Sequence, residues 1–134
     1  MIQPTTNIEH INSVLKHDDI WSNIADETED KDTFNPPLNG YHYLYSEGIL
    51  FILHPVDDSL QIHANVLKNH RTKAKAAAQE ALTYGFNNLK AGRIFAKIPV
   101  QYQNVYKFSR LFLNDEGING GNHILSLELE QWDS

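Results

Sequence analysis

Four cations crowd one short stretch, Val66-Leu67-Lys68-Asn69-His70-Arg71-Thr72-Lys73-Ala74-Lys75-Ala76, directly ahead of an alanine-rich segment that reads as a helix. The start of a helix already carries partial positive charge and unpaired backbone N–H groups, so Lys68, Arg71, Lys73 and Lys75 call for an anion among them. The plainer reading is a solvated basic turn, offset by Glu80 and other acids. Other chemistries find less support. The seven histidines form no HxH, HxxxH or HExxH pair, so no structural metal is expected. There is no cysteine, which removes thiolate nucleophiles and disulfides. No serine nucleophile elbow and no phosphate-binding glycine loop occurs, since Gly48, Gly85, Gly92 and Gly117 are isolated. Tyr41, Tyr43, Tyr45 and Phe51 lack interleaved basic residues and read as sheet packing, not as a base-stacking platform.

The 134 residues suit one domain spanning 1–134 that can bury its own core. A net charge of −6 and a pI near 5.5 argue against nucleic-acid binding, which needs a broad basic surface. The N-terminus MIQPTTNIEH has neither a basic nor an apolar leader region, and no apolar run reaches bilayer length. A cytoplasmic protein with no membrane partner is expected.

Patterning supplies the elements that would position these residues. Thr6 and Glu9 form a capping box ahead of Ile8, Ile11, Val14 and Leu15 at helical spacing. Asp18 is a candidate cap for a second helix to Ala25, with Ile20, Trp21 and Ile24 on one face. An acidic, proline-bearing loop follows, from Asp26 to Gly40. Strands are predicted over 41–46, 48–53 and 60–67 as an antiparallel meander, with Pro55 to Ser59 as a connection. In the third, Leu60, Ile62, Ala64 and Val66 form an apolar face and Gln61, His63 and Asn65 a polar one. The helix after Arg71 puts Ala74, Ala77, Ala78, Leu82, Phe86 and Leu89 on one stripe. A strand over 93–98, a helix around 102–113 and a final strand or hairpin at Ile124 to Trp132, after the Gly120-Gly121 turn, complete the order. This is an α/β (α+β) chain with a mixed, mostly antiparallel central sheet flanked by helices.

With the basic helix start placed directly after the third meander strand, the chain resembles the GCN5-related N-acetyltransferase (GNAT) family. The family's Val-x-Pro-x-x-Arg-x-x-Gly-x-Gly/Ala motif is matched by Val66, Arg71 and Ala76, with Lys68 in place of Pro and Ala74 in place of the first Gly. Ile98 to Gly117 is similar to the family's closing helix, Ser109 standing where its tyrosine acid often falls. Lys16 to Glu27 also resembles the opening of small acyltransferase-like proteins of tailed bacteriophages, some described as head-assembly proteins.

The resemblance implies an acetyl-CoA-dependent N-acyltransferase acting directly on an amine, whether a small molecule or a protein. It implies that the backbone from Arg71 through Thr72, Lys73, Ala74 and Lys75 to Ala76 receives the pyrophosphate of coenzyme A, and that the Val66 and Leu67 amides bond its pantetheine arm. On that reading His63 is the candidate base, and Tyr106 or Tyr102 the candidate proton donor. The acidic loop from Asp26 to Asp32 would favour a basic acceptor. The alternative is a non-catalytic phage assembly or host-interaction protein on the same scaffold, with a virion or host protein as partner.

Overall fold

Asn7 starts the first helix, and its choice over Thr6 shows how locally the chain is decided. In the computed structural model, which describes residues 1–25 and 29–133, the Asn7 side chain accepts from the N–H groups of Glu9 and His10. Asparagine is a cap at least as good as threonine, and the shift leaves the Thr5 hydroxyl free to accept from the Asn7 N–H. Helix α1 spans Ile8–Leu15 and buries Ile11, Val14 and Leu15. Helix α2, Asp18–Ile24, is capped by His17, whose Nδ1 accepts from the Asp19 N–H, so Asp18 lies inside the first turn instead of capping it. Its Ile20 is buried, whereas Ile24 is 41 % exposed and leaves the predicted face.

The strands are β1 (Gln3–Thr5), β2 (His42–Ser46), β3 (Ile49–Val56), β4 (Ser59–Val66), β5 (Arg93–Pro99), β6 (Asn114–Asn119) and β7 (Asn122–Glu128). They form one seven-stranded sheet in the order β1-β2-β3-β4-β5-β7-β6. It is mixed and mostly antiparallel. The parallel neighbours are β4 and β5, registered at Leu60↔Ile94 and Gln61↔Phe95. Strand β3 runs through Pro55, so the β3–β4 connection shrinks to Asp57-Asp58, with Asp57 at φ 54 in the left-handed region.

After β4 the chain makes a 3₁₀ turn, Lys68–Lys73, then helix α3 (Ala74–Thr83) and a π-helical turn, Tyr84–Asn88. Helix α4 (Gln103–Ser109) is shorter than its pattern suggested, and α5 (Leu129–Asp133) takes over where β7 was expected to continue. Among the described residues no helix is long and apolar enough to cross a membrane.

Two compact units divide the chain. The first comprises Met1–Ile52 with Ala64–Ala81. Its core joins Ile11, Val14, Leu15 and Ile20 to Tyr43 and Leu50, with Leu67 packed against them. The second comprises Leu53–His63 with Leu82–Ser134. There Leu53, Ile94 and Leu125 are fully buried, Phe86 stacks on Trp132, and a Cβ on Gly85 would meet the Ile94 side chain at 2.6 Å. The absent side chain at Gly85 makes room for Ile94.

Candidate active site

In the first unit, the predicted anion-binding residues lie on one continuous run. Val66 ends β4, Leu67 leads out of it, Arg71, Thr72 and Lys73 ride the 3₁₀ turn, and Ala74, Lys75 and Ala76 open α3. Arg71, Thr72, Lys73, Lys75 and Ala76 are exposed, while Ala74 is 5 % exposed and sends its methyl into the core. The side chain that replaces the family's glycine therefore stays off the surface that carries the cations. None of the six residues of the 3₁₀ turn is buried, which leaves its charges in water.

The turn's own hydrogen bonds narrow what its backbone can offer. The Leu67 N–H is given to the Gly48 carbonyl at 2.8 Å, the His70 N–H to the Leu67 carbonyl, and the Ala74 N–H to the Arg71 carbonyl. Asp19 of α2 takes the Lys68 N–H at 3.0 Å and holds the Lys68 ammonium at 3.9 Å. Sequence reasoning missed Asp19, because nothing in its spacing ties residue 19 to residue 68. One of the four cations thus has an internal carboxylate partner, and Arg71, Lys73 and Lys75 remain as the exposed positive face. The His70 ring lies over Gly48, where an added Cβ would come within 2.2 Å of its Nδ1. Gly48 sits at φ +74, so both backbone and space demand glycine.

In the second unit, His63 is half-buried in the middle of β4 and meets His54 of β3, with Nε2 to Nε2 at 2.9 Å and the rings 7° from parallel. Burial, and then the neighbouring His54, pull the His63 pKa down to about 4, so the ring is neutral at physiological pH. Burial lowers His54 as well, against an opposing backbone hydrogen bond to Pro55. The polar face expected on β4 is not a solvent face: Asn65, in the first unit, is 7 % exposed and gives its Nδ2 hydrogen to the Leu50 carbonyl.

The two candidate tyrosines lie at the closing helix. Tyr102 immediately precedes α4 and makes no side-chain capping bond, and Tyr106 lies one turn further on, within the helix. Tyr106 stacks on the buried His123 at 3.6 Å between ring centroids, with the Arg110 guanidinium 5.5 Å from its ring. Its hydroxyl donates to Asp115, whose other oxygen accepts from the Gly117 N–H. That bond raises the Tyr106 pKa and, together with Gly117, lowers that of Asp115. Ser109, where the family's tyrosine would stand, is buried at 8 % exposure.

No family model matches the chain, and no curated protein matches it. Among solved structures it is similar to a chimera of Vibrio cholerae spermidine N-acetyltransferase SpeG with hSSAT, at 13 % identity and TM-score 0.74, covering 100 % of this chain and 98 % of that one. A GNAT-family acetyltransferase from Bacillus anthracis matches at 18 % identity and TM-score 0.69, over 96 % and 94 %. The Campylobacter jejuni N-acetyltransferase PseH in complex with acetyl coenzyme A matches at 10 % identity and TM-score 0.59, over 68 % and 70 %. All three are acetyltransferases, and none is described as a phage assembly protein. With its seven-stranded, mostly antiparallel sheet and the turn that joins β4 to α3, the chain has the acyl-CoA N-acyltransferase fold of the GNAT proteins.

Proposed function

We propose that residues 1–134 act as a single acyl-CoA-dependent N-acyltransferase domain that moves an acetyl group directly onto an amine. The observation that carries this reading is the exposed triad of Arg71 and Lys73 on the turn between β4 and α3 and Lys75 at the start of α3, in a chain whose net charge is −6. The donor set suits a pyrophosphate: three cations lie within five residues, and the Ala74 methyl is buried out of their way. Arg71, Thr72, Lys73, Lys75 and Ala76 would hold the phosphates, and the Val66 backbone would meet the pantetheine arm. When bound, acetyl-CoA supplies the acyl group as an activated thioester.

The chain's own residues then move protons. An amine attacks only after losing its proton, and His63 is the proposed acceptor, although the burial that holds its pKa at about 4 makes the ring a weak base towards an ammonium group. The proton that balances the departing sulfur is assigned to the Tyr102 hydroxyl in preference to Tyr106, whose hydrogen is held by Asp115. The fold shared with spermidine N-acetyltransferases supports including polyamines among the acceptors to be screened. Of the acidic loop expected to favour a basic acceptor, Asp26, Glu27 and Thr28 lie outside the described residues. Asp32 is exposed.

Thermal unfolding with and without saturating acetyl-CoA tests this reading, because a ligand bound only by the folded state raises the midpoint. At 100 times Kd the stabilisation is about 2.7 kcal/mol. The rise should vanish in Arg71→Glu, whose exposed position spares the fold. An unchanged midpoint in the wild-type protein, or one that Arg71→Glu leaves raised, would count against the assignment.

A further inference from the structure

We propose that Asp115 is a positioning residue for the closing helix: by holding the Tyr106 hydroxyl it fixes the rotation of α4 about its own axis, and with it the place of the Tyr102 hydroxyl. The importance of Tyr102 rests on the acyltransferase reading, whereas the hold on the helix rests on geometry. Helix α4 has little else to settle its orientation. No side chain among the described residues caps its first turn, and of its seven described residues only Ser109 is buried. Val105, which the helical pattern puts on the same apolar face, is 39 % exposed. A helix this short does not persist on propensity, so tertiary contacts must hold it.

Tyr106 supplies those contacts on three sides. Its ring lies on the buried His123 of β7, 14° from parallel, the Arg110 guanidinium stands near its centre, and its hydroxyl donates to Asp115 of β6. Stacking by itself lets a ring slide and turn in its own plane. The hydrogen bond removes that freedom, because it is directional and fixes the outer end of the ring. Nε2 of His123 is buried and finds no hydrogen-bond partner among the described residues, so the polar part of the hold falls to Asp115.

Asp115 is itself seated. Its second oxygen accepts from the Gly117 N–H at 2.9 Å, its backbone is registered against Leu125 of β7, and the register shift that follows makes Glu116 the extra residue. A bulge of this kind re-aims neighbouring side chains. Here two consecutive carboxylates go to different partners, Asp115 to Tyr106 and Glu116 to Arg93 of β5 at 2.8 Å. The hold therefore runs from β5 and β7 through the bulge to the helix. Tyr102 receives it one turn earlier: its carbonyl accepts from the Tyr106 N–H at 3.1 Å, and residues four apart share a helix face. Turning α4 would carry the Tyr102 hydroxyl away with it.

Tyr106→Phe tests the hold with least damage, since it keeps a ring on His123 and removes only the hydroxyl. NMR of the free protein with labelled tyrosine rings should show the Tyr102 signals displaced or broadened. The amides of Tyr106, Arg110 and Leu113, which close the turns of α4 and its exit, should exchange roughly 10-fold faster, as the loss of one hydrogen bond to a charged group implies. Amides of β5 and β7 should keep their protection. Asp115→Ala should reproduce these changes, and Asp115→Asn, whose amide oxygen still accepts from the Tyr106 hydroxyl, should reverse most of them. The double variant Tyr106→Phe, Asp115→Ala should be no worse than Asp115→Ala alone. Tyr102 signals and exchange rates left unchanged by Tyr106→Phe would overturn the proposal, as would additive effects in the double variant. Lost protection in β5 and β7 would overturn it too, by showing that the hydroxyl supports the sheet and not the helix. None of these readouts involves acetyl-CoA, so a missing thermal shift with that ligand would defeat the acyltransferase reading and leave the hold on α4 standing.

Discussion

His63 makes the stability of the protein depend on pH in a direction that follows from its burial. Its pKa is about 4 in the fold against 6.5 as the ordinary value, so the unfolded chain takes up this proton first as the medium is acidified. Stability is therefore complete above pH 6.5 and declines as the pH falls towards 4. At ~1.4 kcal/mol per unit the loss approaches about 3 kcal/mol. His54, lowered by the same cause, adds to the slope. Urea titrations at pH 7.5 and 4.5 should show that loss in the wild-type protein and a clearly smaller one in His63→Asn; equal losses would mean the ring is not held neutral. His63 was legible in the sequence as a polar position on a strand, but its partner was hidden. Proline usually stops a ladder, and the strand expected over 48–53 ends one residue short of His54. The chain instead continues β3 through Pro55 to Val56 and closes with two residues, which brings His54 beside His63.

Among the elements, the turn from β4 into α3 holds its shape through two contacts far away in sequence. Asp19 caps the Lys68 N–H and opposes its ammonium, so it competes with any anion the turn receives. In Asp19→Asn the competition ends: affinity for coenzyme A should rise roughly 2- to 5-fold, the worth of one exposed ion pair. The same change should leave stability within about 0.5 kcal/mol, because the asparagine amide oxygen still accepts the Lys68 N–H. Calorimetric titration and thermal unfolding on one sample separate the two effects, and a loss of affinity would contradict the assigned competition. Gly48→Ala attacks the other contact. A methyl at φ +74 and 2.2 Å from His70 Nδ1 cannot fit without moving the ring or the turn, at a cost of roughly 2 kcal/mol or more. The alanine stripe was readable, since Ala74, Ala77, Ala78, Leu82 and Phe86 are all buried as their spacing predicts. The 3₁₀ opening was not, because its six residues carry no apolar marker by which a period of 3.0 could be told from 3.6.

At the scale of the whole molecule, charge is arranged as a local positive turn on an acidic chain. Duplex DNA at matched phosphate concentration should therefore fail to displace coenzyme A, since its binding requires an extended basic track. Competition by DNA would show a broader cationic surface than three residues supply. The sheet was foreseeable as mixed and mostly antiparallel. Two of its strands are not marked as separate elements by the pattern: β1 is only three residues long, and β6 starts at Asn114, where the helical pattern expected to run to 113 stops, although the helix itself ends at Ser109.

Those same two strands bear on how the protein survives at high concentration. In the order β1-β2-β3-β4-β5-β7-β6 they are the outermost pair, where unsatisfied backbone groups invite another chain to add on and start a fibre. Gln3–Thr5 offers little to copy and contains Pro4, which cannot donate. Asn114–Asn119 is exposed throughout, interrupted by a register shift between Asp115 and Gly117, and carries Asp115 and Glu116. The protein should stay monodisperse when concentrated, and replacing Asp115 and Glu116 together by valine should make the stored solution turn turbid and bind amyloid dyes.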